Sequence, residues 1–490
     1  MTSQYLPGKE HFEALRRQHN VVPVWTEVIA DLETPVSTYM KLVQGADPDS
    51  VSFLLESVEH GQRWGRYSFV GVDPFLVVTS HDGKVEIQGS LLGDIPQASP
   101  LEVVRRILDS FSVPVMPELP PLIAGGVGFL GYDVVRYLER LPQTTVADVK
   151  TPELLLIFAR TLFVFDHLRQ RLTVVSNVVG DDSYEEAIER TRGLVAKLGE
   201  PLAYEPQGVV PAEFDLPPST LGRRGYMDAV ERAKEYIRAG DIFQVVPSHR
   251  FSAPQPKDPF AVYRALRLVN PSPYMFFLKH PEITLVGSSP EPLIKVQGRR
   301  VIQRPIAGTR PRGATDEEDQ ALEKDLLADE KERAEHVMLV DLARNDLGRV
   351  CTFGTVEVEE FMVIERYSHV MHMTSQVAGE LREDKTGLDA LYASFPAGTV
   401  SGAPKIRAME IIDELEPTRR GPYSGVVGYF DFSGNLDTCI ALRTAYVTGG
   451  NIYIQAGGGI VADSDPMTEW LETVNKAKAL LTAWAIARNS

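Results

Sequence analysis

The sequence predicts a mixed α/β protein whose strands and helices do not alternate strictly. Short runs rich in β-branched and aromatic residues recur in the N-terminal part, as at 154–166 (LLLIFARTLFVFD) and 171–179 (RLTVVSNVV). Helical periodicity follows at 224–241 (RGYMDAVERAKEYIRAGD). Strict alternation of the two would instead predict a parallel, doubly wound sheet.

The chain divides at a proline-rich stretch. Prolines recur from Pro201 to Pro218 with little periodicity, which predicts a connector. We therefore divide the chain into an N-terminal region (1–205), a connector (206–221) and a C-terminal region (222–490).

Further strand patterns lie on both sides of the connector. The N-terminal region contains 52–58 (SFLLESV) and 74–80 (PFLVVTS), and the C-terminal region contains 242–251 (IFQVVPSHRF) and 283–289 (ITLVGSS). Both regions are therefore expected to contribute to sheets.

Composition narrows the function classes. The 490 residues include 50 Lys and Arg against 67 Asp and Glu, a formal net charge of −17. This balance argues against a nucleic-acid binder, which needs a basic face, but it leaves anionic small molecules possible. The two cysteines, Cys351 and Cys439, are too few for a disulfide framework. With a charged start and no apolar run of about 18 residues, we expect a cytoplasmic protein.

One glycine motif allows a nucleotide-binding interpretation. Residues 126–131 (GVGFLG) match G-x-G-x-x-G, and Glu153 has roughly the spacing of an acidic ribose ligand. A nicotinamide-dependent oxidoreductase built on this motif would need a parallel βαβ unit around it. The alternative is a glycine-rich buried strand or turn.

Two acidic pairs suggest a metal site. Glu332 and Glu335 are three residues apart, as are Glu469 and Glu472, which follow a predicted helix start at 465–466. Such pairs on two helices could meet around a hard cation such as Mg²⁺. The same spacing also fits a solvated helix face.

Histidines and glycine runs add candidates for proton transfer and anion binding. His369 and His372 are either structural or proton-transfer residues. The runs 305–313 (PIAGTRPRG) and 395–405 (FPAGTVSGAPK) combine glycine with hydroxyl and cationic side chains, and 454–461 (IQAGGGIV) contains three successive glycines. Such loops bind carboxylates or phosphates through backbone N–H groups, or else form tight turns.

Several long motifs together resemble the chorismate-utilising enzyme family. The similarity covers roughly 222–480, and the segments at 54–57 (LLES) and 125–133 (GGVGFLGYD) resemble the N-terminal part of its anthranilate-forming members. The motifs are LVDLARNDLGRV (339–350), FPAGTVSGAPK (395–405), GPYSGVVGY (421–429), GGGIVADSDP (457–466) and ETVNKAKA (472–479). This resemblance implies an α+β fold with two large antiparallel sheets packed as a sandwich and flanked by helices.

The resemblance also implies site residues. Mg²⁺ is the implied cofactor, bound directly by Glu335 and Glu472, with Glu332 and Glu469 holding metal-bound water. His372 matches the proton-transfer histidine, whereas His369 does not. The implied acid for the departing ring hydroxyl is Glu291, with Thr399 also at the catalytic centre. The implied substrate-binding residues are Gln244, Thr309, Tyr423, Arg443, Gly457, Gly458, Gly459 and Lys476.

Two positions distinguish the reactions of the family. Water-adding members carry a lysine base where this chain has Gln244, and aminodeoxychorismate-forming members typically carry a lysine nucleophile where it has Ala307. The resemblance therefore implies a lyase that converts chorismate and ammonia to anthranilate and pyruvate, the first committed step of tryptophan biosynthesis. Alternatives are aminodeoxychorismate formation, anthranilate formation for secondary metabolism, and a catalytically silent chorismate-binding regulator. The intact Glu291, His372 and four glutamates argue against the silent regulator.

The implied nitrogen source is a separate subunit. Neither cysteine lies at the sharp, glycine-flanked turn that a fused glutaminase would need for its nucleophile. The resemblance implies a glutamine amidotransferase partner, in a heterotetramer of two large and two small subunits. It further implies feedback inhibition by tryptophan. The implied tryptophan-binding residues are Glu56, Ser57, Asn270, Pro271, Ser272, Pro273, Tyr274 and Met275.

Overall fold

Two antiparallel sheets that share two long strands form the centre of the molecule. The computed structural model describes residues 4–29, 31–57, 65–204, 213–367 and 370–488. The strands are β1 (Val21–Val28), β2 (Ser52–Glu56), β3 (Tyr67–His81), β4 (Lys84–Gly89), β5 (Gly125–Leu130), β6 (Leu154–Asp166), β7 (Arg171–Val179), β8 (Gln244–Val245), β9 (Ser248–Pro254), β10 (Tyr274–His280), β11 (Ile283–Ser289), β12 (Pro292–Gln297), β13 (Arg300–Gln303), β14 (Ile306–Pro311), β15 (Glu357–Arg366), β16 (Val370–Glu380), β17 (Gly402–Ala403), β18 (Val426–Asp431), β19 (Leu436–Ile440), β20 (Thr444–Thr448) and β21 (Asn451–Gly457).

The pairing of these strands defines two sheets. The first sheet runs β1-β7-β6-β3-β2-β10-β11-β20-β21-β9. The second runs β4-β3-β6-β5-β18-β19-β12-β13-β16, with β14 and β15 also paired to β16. Every pairing is antiparallel. Different halves of β3 and β6 belong to the two sheets, and the short strands β8 and β17 pair separately.

Helices cover the outer faces of the sheets. Several begin at capping side chains, as where Thr34 accepts a hydrogen bond from the Ser37 N–H. The helices are α1 (Lys9–Arg16), α2 (Pro35–Val43), α3 (Pro100–Ser110), α4 (Tyr184–Leu198), α5 (Gly222–Ala239), α6 (Pro259–Val269), α7 (Asp316–Ala328), α8 (Glu330–Gly348), α9 (Gly387–Ser394), α10 (Lys405–Leu415) and α11 (Pro466–Arg488), with short 3₁₀ helices at Tyr132–Tyr137 and Gly398–Val400.

Apolar packing between the sheets makes them a sandwich. One buried cluster contains side chains from both, including Phe53 and Phe276 of the first sheet and Val427 of the second. The rings of Phe69 and Tyr429 approach to 6.0 Å between the two. Further clusters lie between each sheet and its helices. The predicted antiparallel sandwich flanked by helices is therefore confirmed.

Strands from both sides of the predicted connector pair with one another. β2 pairs with β10 in the first sheet, and β5 pairs with β18 in the second. Residues 205–212, which include much of the connector, lie outside the described residues, as does His369. The division at 206–221 stays a prediction.

The nucleotide-binding interpretation of residues 126–131 is wrong. Most of these residues form β5, which is antiparallel to both β18 and β6, so no parallel βαβ unit surrounds them. Glycine is required here by close packing, because a Cβ on Gly128 would lie 1.8 Å from the Leu155 carbonyl oxygen. The Glu153 carboxylate accepts hydrogen bonds from Ser80 and Tyr137, and therefore has a structural role.

Two expectations from composition can be compared with the structure. Cys351 and Cys439 are both buried free thiols, in agreement with the absence of a disulfide framework. Among the described residues, no helix combines the length and apolar character needed to cross a membrane.

Candidate functional site

Glu291 lies in the turn between β11 and β12, where it is half-buried. Its N–H donates to Ser289 Oγ over 3.3 Å, and its carbonyl accepts from the Ile440 N–H over 3.0 Å. Burial raises the pKa of the carboxyl from 4.5 to about 7, although Thr399, Lys476 and Arg443 each lower it. The group can therefore hold a proton at neutral pH and donate it.

Thr399 lies beside this acid. Its hydroxyl influences the Glu291 pKa, yet among the described residues it has no hydrogen bond within normal limits. A buried hydroxyl without a partner is costly, which is why such a group commonly serves a ligand. Thr399 therefore has hydrogen-bonding capacity available beside Glu291.

His372 is held on β16 with one ring nitrogen engaged. Its Nδ1 lies 3.2 Å from the Gly308 carbonyl oxygen and 2.9 Å from Thr309 Oγ1. Because a carbonyl oxygen only accepts, Nδ1 carries the proton and the lone pair is left on Nε2. Burial and the nearby Arg443 lower the pKa of the imidazole, while the Gly308 carbonyl opposes them. His372 is therefore a neutral ring suited to accept a proton.

Arg443 connects these two groups electrostatically. Its charge lowers the pKa of both Glu291 and His372, so its guanidinium lies within electrostatic range of both groups. Burial lowers the pKa of the guanidinium itself. Among the ion pairs of the described residues, none includes Arg443. A largely buried cation without an ionic partner favours an anionic ligand.

The glycine run after β21 brings backbone close to polar side chains. A Cβ on Gly459 would lie 2.5 Å from Gln244 Nε2, and one on Gly458 would lie 3.0 Å from Glu469 Oε2. Lys476 Nζ donates to the Gly457 carbonyl over 3.1 Å and lies 2.7 Å from Glu472 Oε1. These close approaches favour glycine at positions 458 and 459, because a Cβ there would displace the ends of the Gln244 and Glu469 side chains.

Tyr423 belongs to the same part of the site. A Cβ on Gly457 would lie 3.0 Å from its hydroxyl oxygen, and burial raises the pKa of the phenol to about 12. The phenol is therefore neutral at physiological pH and can donate a hydrogen bond to an anion.

The four predicted metal ligands lie on α8 and α11. Burial, reinforced by the charge of Glu335, raises the pKa of Glu332, and burial together with Glu472 raises that of Glu469. Gln244 Nε2 donates to Glu335 Oε1 over 3.1 Å, and the same amide packs against Gly459. Contacts of Gln244 and of the glycine run therefore link the two acidic pairs.

These residues fit a magnesium ion by their chemistry. Each pair places like charges close together, a repulsion that a cation relieves. Within the described part of the chain, no three potential ligands are gathered at one point. Mg²⁺ usually takes only one or two carboxylates and completes its octahedron with water and substrate, so a closed cage is not required.

The predicted tryptophan segments meet at a different place, between the sheets. A cavity of about 560 Å³ is lined by residues of both segments, namely Glu56, Ser57, Pro273, Tyr274 and Met275. Asn270, Pro271 and Ser272, which come directly before Pro273 in the chain, do not line the cavity. The volume is within the usual range for small-molecule sites.

Polar contacts order the walls of this cavity. The Tyr274 hydroxyl donates to Asp437 Oδ1 over 2.9 Å, and Asp437 pairs with Lys295 at 3.1 Å. Glu56 accepts from Arg267 Nη2 over 3.1 Å. The cavity therefore has charged and hydrogen-bonded side chains at fixed points of its wall, beside apolar ones such as Phe69 and Met116.

Sequence reasoning missed several residues of the site. Lys331 lowers the pKa of Glu469 from the other acidic helix, and the Tyr226 hydroxyl lies beside Gly458. Ser289 holds the backbone of Glu291. The serines before the Pro-Glu pair at 290–291 could have drawn attention by their position, whereas no sequence signal indicates Lys331 or Tyr226.

The chain belongs to the chorismate binding enzyme family, whose profile matches residues 51–482. It is 49% identical over 499 residues to anthranilate synthase component 1 of Mycolicibacterium smegmatis, covering 98% of this chain and 94% of that protein. The crystal structure of anthranilate synthase component I from Streptococcus pneumoniae TIGR4 is similar with a TM-score of 0.76 and 35% identity, over 92% of this chain and 98% of that one.

A more distant structure extends the comparison of fold alone. MenF, the menaquinone-specific isochorismate synthase of Escherichia coli, has a TM-score of 0.71 at 20% identity, over 96% of this chain and 98% of that one. These findings confirm the family, the enzyme class and the fold that the motifs indicated.

The raised pKa of Glu291 predicts a pH-dependent stability difference. Because the folded pKa of about 7 exceeds the ordinary 4.5, this carboxyl stabilises the fold at low pH, and that contribution is lost as the pH rises through 7. Relative to wild type, Glu291→Gln should therefore gain up to about 3 kcal/mol in free energy of unfolding between pH 4.5 and 8. Urea unfolding at several pH values measures this. Glu330→Gln, at an exposed site, should show little change, and parallel profiles for wild type and Glu291→Gln would contradict the prediction.

Proposed function

We propose that this chain is the large subunit of an anthranilate synthase, which converts chorismate and ammonia to anthranilate, pyruvate and water. The observation that carries the proposal is the grouping of an acid whose pKa is raised, a base whose pKa is lowered and a cation without an ionic partner among the described residues, which are Glu291, His372 and Arg443. Anthranilate synthase component 1 relatives over nearly the whole chain support it.

The cations of the site would bind the substrate carboxylates. Chorismate is a dianion, and Arg443 with the Tyr423 hydroxyl would hold the enolpyruvyl carboxylate. Lys476 and backbone N–H groups near Gly458 would add donors. We propose Glu335 and Glu472 as direct Mg²⁺ ligands, with Glu332 and Glu469 holding its water. When bound, Mg²⁺ would act as a Lewis acid on the ring carboxylate.

Acid and base act in sequence. Ammonia adds at C2 as Glu291 protonates the departing ring hydroxyl, which leaves as water and yields aminodeoxyisochorismate. His372 Nε2 then removes the C2 proton while pyruvate is eliminated and the ring becomes aromatic. General acid or base catalysis of this kind contributes roughly 10²- to 10⁴-fold each.

Two residues support amination at C2 over the related reactions. Gln244 carries a neutral amide that donates to Glu335, so it cannot activate water as a lysine would. Ala307 lies on β14 opposite Met373 and has no nucleophile. We propose that a glutamine amidotransferase subunit supplies the ammonia, and that tryptophan, binding in the cavity between the sheets, inhibits this first committed step of its biosynthesis.

The activity has a direct test. Purified chain with chorismate, Mg²⁺ and ammonium at alkaline pH should form anthranilate, which is followed by its fluorescence. Accumulation of aminodeoxychorismate would contradict the interpretation of Ala307, and isochorismate would contradict that of Gln244. Absence of any turnover would favour a silent chorismate-binding regulator.

The metal assignment predicts a large loss in Glu335→Gln. Changes in residues that only support a ligand commonly cost 10- to 100-fold, so loss of a direct ligand should lower turnover by roughly 100-fold or more. Glu330→Gln, on the exposed first turn of the same helix, is the matched control and should remain near wild type. Circular dichroism checks folding, and a wild-type rate for folded Glu335→Gln would remove the metal role.

The regulatory assignment predicts weaker inhibition in Ser57→Ala. Loss of one hydrogen bond of about 1 kcal/mol raises the half-inhibitory tryptophan concentration by roughly 5-fold, measured at limiting chorismate. Ser52→Ala is the control, because the Ser52 hydroxyl contacts Tyr39 and does not line the cavity. Turnover unaffected by millimolar tryptophan, or equal inhibition of wild type and Ser57→Ala, would refute the assignment.

A further inference from the structure

Ser288, near the end of β11, contacts both the cavity segment and the substrate site. It is completely buried. Its hydroxyl donates to the carbonyl oxygen of Asn270, and its main-chain N–H donates to the carbonyl oxygen of Arg443 over 3.1 Å. One residue thus joins the first position of the segment 270–275 to the unpaired cation of the site.

The bond to Arg443 supports an unusual backbone conformation. Arg443 has φ of 46°, in the left-handed region that side chains other than glycine rarely adopt. The bond continues the pairing of β11 with β20 one position beyond Gly287 and Thr444. Since the direction of the Arg443 side chain follows its backbone, the position of Ser288 affects where the guanidinium points.

The bond to Asn270 connects Ser288 to the cavity. Asn270 ends α6, where its N–H donates to the Leu266 carbonyl over 2.9 Å, and Pro273 to Met275 then line the cavity. Met275 is paired with Ser288 across β10 and β11. A ligand that displaces Asn270, at the start of the segment 270–275, therefore acts on Ser288 through its side chain.

We propose that Ser288 is a positioning residue that couples occupancy of the cavity between the sheets to the orientation of Arg443. The proposal rests on the proposed function, in which tryptophan fills the cavity and Arg443 binds chorismate. Without the Ser288 hydroxyl, Asn270 can move without displacing the backbone of Arg443. Ser288→Ala should then retain both ligands and lose the effect of one on the other.

Ser289 provides a matched control. It is equally buried, and its hydroxyl also donates to a main-chain carbonyl, that of Ile440 over 2.6 Å. Among the hydrogen bonds of the described residues, none joins its side chain to Asn270, and its hydroxyl accepts from the Glu291 N–H. Ser289→Ala should therefore lower kcat while the coupling between the two ligands remains.

The test measures reciprocal coupling. Tryptophan Kd is determined by calorimetry with Mg²⁺, with and without chorismate, and without ammonium so that no amination occurs. Allosteric coupling typically changes affinity 5- to 150-fold, and by linkage it is the same for both ligands. In wild type and Ser289→Ala, chorismate should weaken tryptophan binding at least about 5-fold. In Ser288→Ala the ratio of the tryptophan Kd with chorismate to the Kd without it should fall below about 2. The Kd without chorismate should change little.

The outcomes separate this proposal from the proposed function. If wild type binds tryptophan and shows coupling but Ser288→Ala keeps the wild-type ratio, the role of Ser288 is refuted and the function stands. Equal loss of coupling in Ser289→Ala also refutes it. If wild type neither forms anthranilate nor binds tryptophan, the proposed function has failed. If Ser288→Ala does not fold, Ser288→Cys can be used, because it has a similar volume and a weaker hydrogen-bond donor. Ser288→Cys should show reduced coupling, and a wild-type coupling ratio in this variant would refute the proposal.

Discussion

A largely buried cation without an ionic partner is the constraint on which the site depends. Arg443 loses hydration in the interior, and the Glu291 carboxyl nearby has a pKa of about 7, so it neutralises the guanidinium only in part. Interaction with an anionic ligand offsets this cost. The same charge favours a neutral His372. Acid, base and anion site are therefore electrostatically interdependent.

The sandwich architecture determines where this group of residues forms. The strands β3 and β6 extend through both sheets and so fix the position of one sheet relative to the other. The chain also passes from the first sheet to the second in the turn from β11 to β12. Glu291 lies in that turn. Lys295 follows on β12 and reaches the cavity between the sheets, so the catalytic and cavity regions are connected by one short strand.

The paired glutamates on α8 and α11 offer a way for an acidic protein to bind a dianion, because they would recruit a divalent cation. The formal charge of −17 is a total for the whole chain, whereas the candidate site contains the cations Arg443 and Lys476. Glu332 and Glu469 both have raised pKa values, first through burial and then through their neighbouring glutamates. The repulsion between these carboxylates favours binding of a divalent cation, which would make the local charge positive.

Much of this molecule could be predicted from local patterns. The strands at 154–166 and 171–179 and the helix start at Pro466 follow from periodicity and capping, because these depend on near neighbours. The long motifs indicated the family, and membership of the family implied the two-sheet sandwich. Residues 126–131 show the limit of such reasoning. The same glycine spacing occurs in nucleotide-binding loops and in a strand such as β5, which packs closely against neighbouring strands on both sides.

The sequence by itself determined the residue types of the site and the order in which they occur. Only the tertiary structure decided their protonation and their contacts. The pKa of Glu291 depends on burial and on Arg443, which is far away in sequence, and the carbonyl of Arg443, whose backbone is left-handed, accepts a hydrogen bond from the N–H of Ser288. Desolvation and hydrogen bonding act over a few ångströms in space, and the distances between residues distant in sequence exist only in the folded chain.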